Sequence, residues 1–402
     1  MTMGPNPTTR AAVSIGNEYG CEIRQPDLRR ASIDAVSRPL IGSAMRFPKS
    51  MLHVAPAMAA AAIMTVSQLG AAQTPERRTV PGNDVAVYNL AGIMRVEGGT
   101  GSDVAVEITR GGGDASRLQI QTGTVRGRET LRVIYPDRRV VYRQGDWARW
   151  RSRTSLYVDD DGTFGDGRSD DGRRVDIVGS GDGLDAYADL RVIVPRGKRV
   201  SVFLGVGEAK IENVEGDLYV DVSAASVTAT RTRGTLSLDT GSGEVRVTDA
   251  QGAVDLDTGS GNVEVMNIRG PSLRMDTGSG RVRGSDVVAD EIELDTGSGS
   301  VRLAQVQSKR ITLDSGSGSV ELDLRSDVES LRIDSGSGGI TLGIPESLGA
   351  TIRIDTGSGG IDTDIPIQVR KAERNYLSGT IGDGKGEIVI ETGSGGVRLR
   401  RS

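Results

Sequence analysis

The sequence predicts an all-β fold, a single-chain right-handed β-solenoid (β-helix) with about 19 residues per turn. A pentapeptide, Asp/Glu-Thr/Ser-Gly-Ser-Gly, recurs eight times at nearly even spacing. Between its copies, apolar and polar residues alternate with the period of two that is typical of β-strands. The chain of 402 residues contains 56 Gly but only 3 Phe, 2 Trp and 8 Tyr. Its core must therefore consist of small aliphatic side chains, which suits stacked short strands.

The pentapeptide marks successive turns of the predicted solenoid. Its copies are 18 to 21 residues apart, except for a last interval of 36 residues that we interpret as two turns. A single turn cannot bury its inner face, but turns stacked about 4.8 Å apart form continuous columns of Val, Ile and Leu. The copies begin at Asp239, Asp257, Asp276, Asp295, Asp314, Asp334, Asp355 and Glu391.

The pentapeptide is predicted to form a tight corner. Its two Gly residues accept left-handed backbone dihedrals, and its Thr and Ser hydroxyls can hydrogen-bond the corner backbone. Acidic residues stacked at a common corner would repel each other unless each accepts hydrogen bonds from N–H groups of its own turn, or a cation lies between turns. The first arrangement, an Asx turn, is favoured. A comparison of melting temperatures in calcium and in chelator distinguishes the two.

Other interpretations of the pentapeptide are disfavoured. Asp-Thr-Gly-Ser is also the active-site string of aspartic proteases, but such a protease has one copy in each lobe, whereas here the string recurs at every turn. The Gly-Ser-Gly runs are not part of a phosphate-binding loop, and the spacing of calcium-binding nonapeptide repeats is not found. The repeat is therefore predicted to be structural.

Residues 1–72 are predicted to be a leader that ends in a secretory signal peptide. From Met45, the expected true start, basic residues precede a mostly apolar run over residues 54–69 and small residues at 70–72. The run is shorter than the roughly 20 residues of a membrane span, so a signal peptide is favoured over an anchor. We expect an exported protein, in the periplasm, on the cell surface or outside the cell, without a transmembrane segment in the mature chain.

The mature chain, residues 73–402, is expected to contain neither Cys nor His. Cys21 and His53, the single copies in the sequence, precede the cleavage region. Their removal excludes disulfides, Cys–His and Ser–His–Asp catalysis, and zinc bound by His or Cys. A mature net charge of about −8, with both signs interspersed, argues against nucleic acid as a partner. No cofactor is predicted.

The segment 137–174 interrupts the repeat and is the best candidate for a ligand site. Its first half combines Arg with both Trp residues of the chain, and such side chains can stack on sugars or bases. Its second half is rich in Asp and Gly, but the Asp spacing does not match an EF-hand loop. A mobile loop inserted between strands, whose basic and acidic halves pair loosely, is favoured over a ligand site. The ligand-binding candidates are Trp147, Arg149, Trp150 and Arg151, and the weaker calcium candidates are Asp159, Asp161 and Asp166.

Three further regions are predicted along the mature chain. Residues 73–82 are expected to be a linker, and residues 83–205 to form irregular opening turns from which the segment 137–174 is an excursion. Residues 206–402 are expected to be the regular solenoid, closed by a last turn at residues 387–400. The arginines at this end would discourage the exposed final edge from pairing with other chains.

Three motifs within residues 83–402 are similar to those of a known family. They are a V-x-N-x-x-G-x-x-x-V opening from Val87 to Val96, the repeated T-G-S-G-x-[VI]-x-[LV] turns, and a closing G-D-G-x-G-E-I-x-[IL]-x-T-G-S-G-G-V-R-L from Gly382 to Leu399. With them the chain resembles the bacterial putative-adhesin β-solenoid family, a domain of unknown function. The resemblance implies an envelope or secreted protein with adhesive properties, and it brings no catalytic residues.

We expect a non-enzymatic adhesin or cell-envelope scaffold that binds a glycan or another envelope or surface protein. The alternative is a β-helix enzyme that acts on polysaccharides with surface carboxylates. The outward carboxylates that could serve it alternate with arginines, which predicts ion pairs between neighbouring turns instead. The carboxylates are Glu264, Glu293 and Glu321, and the arginines are Arg246, Arg274, Arg302 and Arg332.

Overall fold

Parallel strands stacked in register make up most of the chain that the computed structural model describes, residues 75–145, 147, 152–165 and 172–402. Helix is almost absent from these residues, and a short 3₁₀ helix spans Ala115–Arg117. The predicted all-β class is confirmed. In this part of the chain, no helix is long and apolar enough to cross a membrane.

The strands fall into four groups along the chain. The first five are β1 (Glu76–Val80), β2 (Asp84–Gly99), β3 (Val104–Gly111), β4 (Gln119–Val125) and β5 (Arg128–Ile134). A separate small sheet contains β6 (Arg139–Val141), β7 (Arg153–Val158), β8 (Arg173–Val178) and β9 (Leu184–Asp185). The next nine are β10 (Tyr187–Pro195), β11 (Lys198–Glu212), β12 (Gly216–Arg233), β13 (Leu236–Ser242), β14 (Val245–Gln251), β15 (Val254–Ser260), β16 (Val263–Ser279), β17 (Val282–Ser298) and β18 (Val301–Ser317). The last nine are β19 (Val320–Leu324), β20 (Ser330–Ser337), β21 (Ile340–Ile344), β22 (Ala350–Asp355), β23 (Ile361–Thr363), β24 (Gln368–Ala372), β25 (Tyr376–Ile381), β26 (Gly386–Thr392) and β27 (Val397–Arg401).

Equivalent residues of successive repeats lie side by side, and we call the strands at one level of the stack a layer. Val263 pairs with Val282, and Val282 pairs with Val301. Because apolar and polar residues alternate along each strand, one column of side chains points inward and the next points outward. Leu294 and Leu313 are typical inward residues and are almost fully buried. Each buried Val, Leu or Ile contributes about 1.5–3 kcal/mol, so the columns together form the core.

The chain turns at the second Gly of the pentapeptide. Gly280 and Gly299 have φ angles of 138° and 150°. A Cβ on Gly280 would overlap the carbonyl oxygen of Gly261 in the neighbouring layer. The first Gly, for example Gly278, lies inside a strand without a positive φ. The prediction that both glycines adopt left-handed dihedrals is therefore wrong for the first Gly of the regular layers, because the strand continues through it, but in the copy that begins at Asp355 the first Gly, Gly357, has a φ of 55°.

A second bend was not predicted, because no glycine marks it. Its residues are stacked in one column and have φ angles between 54° and 57°, in the left-handed region that Asn and Asp tolerate better than most residues. Their side chains hydrogen-bond between layers, and Arg231 Nε donates to Asn213 Oδ1 at 2.6 Å. The column consists of Asn213, Arg231, Asp249, Asn267, Asp286 and Gln305.

The last two strands of the chain enter the stack one layer before its end. β26 pairs in parallel with β20 on one side and with β22 on the other, and β27 lies between β21 and β23. Beyond β22 the sheet continues with antiparallel β25 and β24. The prediction of an exposed last turn at residues 387–400 is therefore wrong. The interval of 36 residues between Asp355 and Glu391 arises from this insertion, not from two successive turns.

Antiparallel strands also end the stack on the N-terminal side. β2 pairs with β11 on one side and with β5 and β10 on the other. β4 pairs with β5, and β3 and then β1 continue from β10, all of them antiparallel. Residues Glu76–Val80 thus belong to a strand, although a linker was expected over residues 73–82.

Part of the segment 137–174 folds into the small sheet, with strand order β7-β8-β6-β9. β7 and β8 form an antiparallel pair, and β6 pairs in parallel with β8 and β9. Phe164, which follows β7, is buried, and its ring packs edge-on against Tyr88 with the ring centroids 5.8 Å apart. The described part of this segment is therefore a packed sheet, and the favoured prediction of a loosely paired mobile loop is wrong for it.

Candidate functional site

A column of carboxylates runs along the outer face of one sheet, and we call it the carboxylate ladder. Each carboxylate begins a copy of the pentapeptide and pairs in register with its equivalent in the next layer. The residues before and after each carboxylate are buried, so the alternation of the strand directs the acid outward. In stacking order the ladder contains Asp239, Asp257, Asp276, Asp295, Asp314, Asp334, Glu391 and Asp355.

Ion pairs with ladder residues form at only one end of the ladder. Glu391 lies 2.8 Å from Arg353 and 3.4 Å from Arg332, and Arg332 also lies 3.7 Å from Asp334. Within the described part of the chain, the five carboxylates from Asp239 to Asp314 make neither a hydrogen bond nor an ion pair. They form a run of five stacked carboxylates without ion pairs, and the nearby charges of Arg274 and Arg332 only partly offset those of Asp276 and Asp314.

The predicted Asx turn occurs at one position of the ladder. The Gly357 N–H donates a hydrogen bond of 3.1 Å to Asp355 Oδ1. At the five carboxylates from Asp239 to Asp314 the prediction is wrong. There the strand continues beyond the acidic residue, so the N–H groups that an Asx turn would use belong to strands paired with neighbouring layers.

Burial raises the pKa of each of these five carboxylates, and repulsion from neighbouring carboxylates adds to it for all of them except Asp239. For Asp257, burial is the larger cause, and the negative charges of Asp239 and Asp255 add to it. For Asp295, burial again comes first, and Asp276 adds to it. Burial and neighbouring carboxylates also raise the pKa values of Asp276 and Asp314, against a smaller opposing effect of Arg274 and Arg332, and burial raises that of Asp239. Because a raised carboxyl pKa means that the charge destabilises the folded state, the charges of these five carboxylates do not stabilise the fold.

Other outward columns differ from the ladder because their charges are compensated between layers. Such pairs on an exposed surface contribute at most about 1 kcal/mol each, but they neutralise the column. These ion pairs include the glutamates that were considered as catalytic groups of a polysaccharide-acting enzyme. Three predicted pairs are confirmed: Arg246–Glu264 at 2.8 Å, Arg274–Glu293, and Arg302–Glu321 at 3.4 Å.

Buried hydroxyls follow the ladder residues along each strand. Thr356 Oγ1 donates to the Gly359 carbonyl at 2.7 Å, as predicted for the corner backbone. Most of the equivalent hydroxyls in the regular layers do not bond to the corner backbone, because the strand is still extended at their position. The hydroxyls without a hydrogen-bond partner among the described residues are those of Thr240, Thr258, Thr296, Ser315 and Ser335.

Trp147 is the one described member of the predicted ligand-binding set. It packs against the hydrophobic core, and its indole Nε1 is buried with no hydrogen-bond partner in the described ranges. These contacts are those of a packing residue. Arg149, Trp150 and Arg151 lie outside the described residues. The sugar-stacking role of this set therefore stays a prediction.

Two of the calcium candidates lie in a turn after β7. The backbone N–H and the hydroxyl of Thr163 donate to Asp161 Oδ1 at 2.9 and 2.6 Å, and Asp159 Oδ2 lies 3.0 Å from Arg126 Nη2. Burial acts to raise the pKa of Asp161, but the Thr163 hydrogen bonds and nearby arginine charges together lower it. Asp166 lies outside the described residues. Among the residues that are described, no three His, Cys, Asp or Glu side chains are grouped as metal ligands.

A cavity of about 250 Å³ opens where β18 loses its regular neighbour. Four charged side chains at or beside it pair with each other. Lys309 Nζ lies 2.8 Å from Asp290 Oδ1, and Arg269 Nη2 lies 2.9 Å from Asp286 Oδ1. These ion pairs account for the charges without a ligand.

Tyr157 is an exposed aromatic residue that was not singled out from the sequence. Its exposed fraction is 41%, and it pairs in register with Arg174 of β8. The neighbouring Leu156 and Val158 are partly or fully buried, so Tyr157 points outward. The alternation of residues 153–158 could have located it, but the two Trp residues of the same segment drew the prediction elsewhere.

Replacing Asp276, Asp295 and Asp314 together with Asn is expected to raise the melting temperature at pH 7 by about 2–3 °C, or about 1 kcal/mol, because the change removes stacked like charges. Above the ordinary Asp pKa of 3.8, the folded chain binds more protons at these sites than the unfolded chain does. Wild-type stability from these groups is therefore highest at low pH and is lost as the pH rises through the raised pKa values. Thermal unfolding at pH 7 and pH 4 should show the stabilisation by Asn shrinking at pH 4.

Asp290→Asn provides the matched control for this triple variant. The hydrogen bond and charge of Lys309 lower the pKa of Asp290, so removing its charge should not raise the melting temperature at pH 7. A triple variant that is no more stable than wild type at pH 7 would mean that the ladder charges are compensated after all.

Comparisons with known proteins include a family match. The family model described as Toastrack DUF4097 matches residues 190–400, just over half of the chain. Among solved structures, a putative cell adhesion protein from Clostridium sporogenes ATCC 15579 is 10% identical, with 82% of this chain and 100% of that chain covered, and a TM-score of 0.17. A TM-score this low carries no conclusion about fold or function. No curated protein matches.

Proposed function

The chain belongs to the Toastrack DUF4097 family, and from this premise we propose that it is a non-enzymatic, exported β-solenoid that acts as an adhesin or cell-envelope scaffold. The family is the one that the sequence motifs resemble, a domain of unknown function. In this proposal the solenoid is right-handed with about 19 residues per turn. Register pairs support the turn length, since Leu218 pairs with Leu236, 18 positions on, and Val263 with Val282, 19 positions on.

The observation that supports a binding role best is the run of ladder carboxylates without ion pairs. From Asp239 to Asp314 it carries no ion pair in the described chain, whereas arginine–glutamate pairs bridge the neighbouring columns. Its charges reduce stability, and they nevertheless recur at every layer. Such charges are expected where a partner supplies the opposite charge. The ladder therefore suits an extended partner with regularly spaced cationic groups, such as an envelope polymer or a surface protein.

Co-sedimentation of the exported chain with isolated bacterial cell envelopes tests this proposal. We expect binding that weakens as salt rises from about 50 to about 500 mM, because exposed charges are screened. The Asn variant of Asp276, Asp295 and Asp314 should bind at least about tenfold more weakly, which is about 1.4 kcal/mol, while Asp290→Asn binds like wild type. Full binding by the triple variant would remove the ladder from the proposal, and no binding by any form would overturn the adhesive role.

Assays of hydrolysis and elimination on the same envelope polymers test the alternative of an enzyme. The carboxylates that such an enzyme would need, for example Glu264, are engaged with arginines, which disfavours a pair of free acid and base groups. We expect no product. Release of sugar fragments that is lost on replacing these glutamates with Gln would overturn the non-enzymatic proposal.

A further inference from the structure

The outer face of the β7–β8 hairpin carries a strip of polar side chains with an aromatic ring at one end. The antiparallel register pairs Ser155 with Asp176 and Tyr157 with Arg174, and Arg153 lies further along β7 on the same face. From residue 153 to residue 157 the strip is about 13 Å long, since a strand rises about 3.3 Å per residue. It lies in the small sheet, apart from the carboxylate ladder.

The inner face of the hairpin fixes this strip in place. Val158, Val175 and Ile177 are buried, and Leu156 packs against the core. Because these residues alternate with the outward ones, each outward side chain starts from a backbone that packing holds on the other side. The strip is therefore a preformed surface and needs little ordering to bind a ligand.

Hydrogen bonds connect the polar members of the strip. Ser155 Oγ donates to Asp176 Oδ1 at 2.6 Å, and Arg153 Nη2 donates to Asp176 Oδ2 at 2.8 Å. Arg174 Nη2 donates to Ser155 Oγ at 3.1 Å, and its Nε lies 3.5 Å from Asp176 Oδ1. Two guanidinium groups thus share one carboxylate, so the strip has one positive charge in excess. The side chains of Arg153 and Arg174 remain 57% and 59% exposed.

We propose that this strip binds an acidic sugar unit of a glycan, with the sugar ring stacked on Tyr157 and the sugar carboxylate held by Arg174. The Tyr157 ring offers an exposed apolar face next to polar groups, and the C–H face of a sugar can cover it. A guanidinium is the donor best suited to a carboxylate, because its planar fork can bind both oxygens. The Asp176 carboxylate, which already accepts hydrogen bonds from Ser155 and Arg153, keeps lone pairs that can accept from sugar hydroxyls. The excess positive charge selects acidic over neutral sugars.

This inference deepens the proposed function, because it gives the envelope-binding protein a glycan subsite, but it uses residues other than the ladder. The two surfaces have opposite charge. The ladder is expected to attract cationic groups, and the hairpin strip anionic sugars. Variants of one surface should therefore leave binding at the other unchanged.

Calorimetric titration of the exported chain with two tetrasaccharides tests the inference. The probes are an oligogalacturonate of four units, which is acidic, and maltotetraose, which is neutral. We expect the acidic probe to bind at least about tenfold more tightly. Tyr157→Ala and Arg174→Gln should each weaken that binding at least about tenfold, whereas Tyr157→Phe, which keeps the ring, should change it less than about threefold. Met266→Ala, which removes another exposed apolar side chain, is the matched control and should have no effect.

Several outcomes would overturn the inference. They are no binding of the acidic probe, equal binding by wild type and Tyr157→Ala, or equal affinity for a short DNA duplex, which would indicate attraction to any polyanion. Melting temperatures of the variants verify that they are folded. If envelopes bind but Tyr157→Ala binds the acidic probe like wild type, the subsite fails and the proposed function stands. If the acidic probe binds through Tyr157 but envelopes do not bind, the envelope role fails and the subsite stands.

Discussion

Replacing Gly280 with Ala is expected to lower the free energy of unfolding by about 3 kcal/mol or more. The φ angle of Gly280 is 138°, which an L-residue rarely adopts. A Cβ there would also overlap the carbonyl oxygen of Gly261, so two layers would have to separate locally. Parallel pairing continues on both sides of this position, which prevents the strain from relaxing at an end. Denaturant unfolding of the variant and the wild type measures the loss.

Two glycines elsewhere separate the causes of this loss. Gly101 also has a positive φ, of 120°, but a Cβ there would meet no atom within 4 Å, so Gly101→Ala should cost only about 1–2 kcal/mol. Gly360 has no positive φ, and a Cβ there would also meet nothing within 4 Å. Gly360→Ala should therefore change stability by less than about 0.5 kcal/mol. If Gly280→Ala cost no more than Gly101→Ala, close stacking of the layers would not be the reason for this glycine.

Asn89→Ala is expected to destabilise the chain by about 3 kcal/mol, because it removes three hydrogen bonds from a buried site. Asn89 is fully buried. Its Nδ2 donates to the carbonyls of Ala188 at 2.7 Å and Ala91 at 3.1 Å, and its Oδ1 accepts from the Tyr135 hydroxyl at 2.8 Å. Burial raises the pKa of Tyr135 far above its usual value, so this hydroxyl remains a donor at any pH at which the protein is folded. Thermal unfolding should show a melting temperature lower by several degrees.

Asn375→Ala is the control for Asn89→Ala. Asn375 Nδ2 also donates to a backbone carbonyl, that of Gly357 at 3.0 Å, but at a solvent-exposed position. Water can replace that bond, so the loss should stay below about 1 kcal/mol. Equal losses in the two variants would show that burial of Asn89 is not the cause of its effect. The Asn of the V-x-N-x-x-G opening motif would then need another explanation.

The repetitive part of the fold could be predicted from the sequence because a single pattern determines it. Alternation from Val301 to Leu313 sets which side chains are buried, and the spacing of the pentapeptide sets which strands pair. The order of layers near the C-terminus could not be predicted. Strands β22 and β26 carry the same alternation and the same inward Ile residues, so either could follow β20. The choice depends on the antiparallel strands β24 and β25, which do not contain the repeat.

In the candidate sites, too, the repeat predicted positions, whereas features that depend on pairing between strands could not be predicted. The ladder positions, from Asp239 onward, were found from the repeat, but their environment was not, because an Asx turn and an extended strand both accommodate Asp-Thr-Gly-Ser. Whether N–H groups turn toward the carboxylate or toward the next layer depends on pairing between strands. Tyr157 was missed for a similar reason. Its exposure is a property of the small sheet, which forms by pairing across the segment 137–174 and has no repeat to predict it.

The insertion of β26 and β27 has a consequence for the synthesis of the chain. Residues 340–344 lie next to residues 397–401, so β26 and β27 must be made before β20 and β21 obtain their neighbours on that side. Until then β22 cannot occupy its final place, although its first residue, Ala350, is made 36 residues before the first residue of β26, Gly386. Folding can advance with translation through the regular layers, whereas its last step must wait for the synthesis of β26 and β27. A stop codon that removed only the final two strands would open a gap inside the stack and detach the layer beyond it, instead of shortening its end.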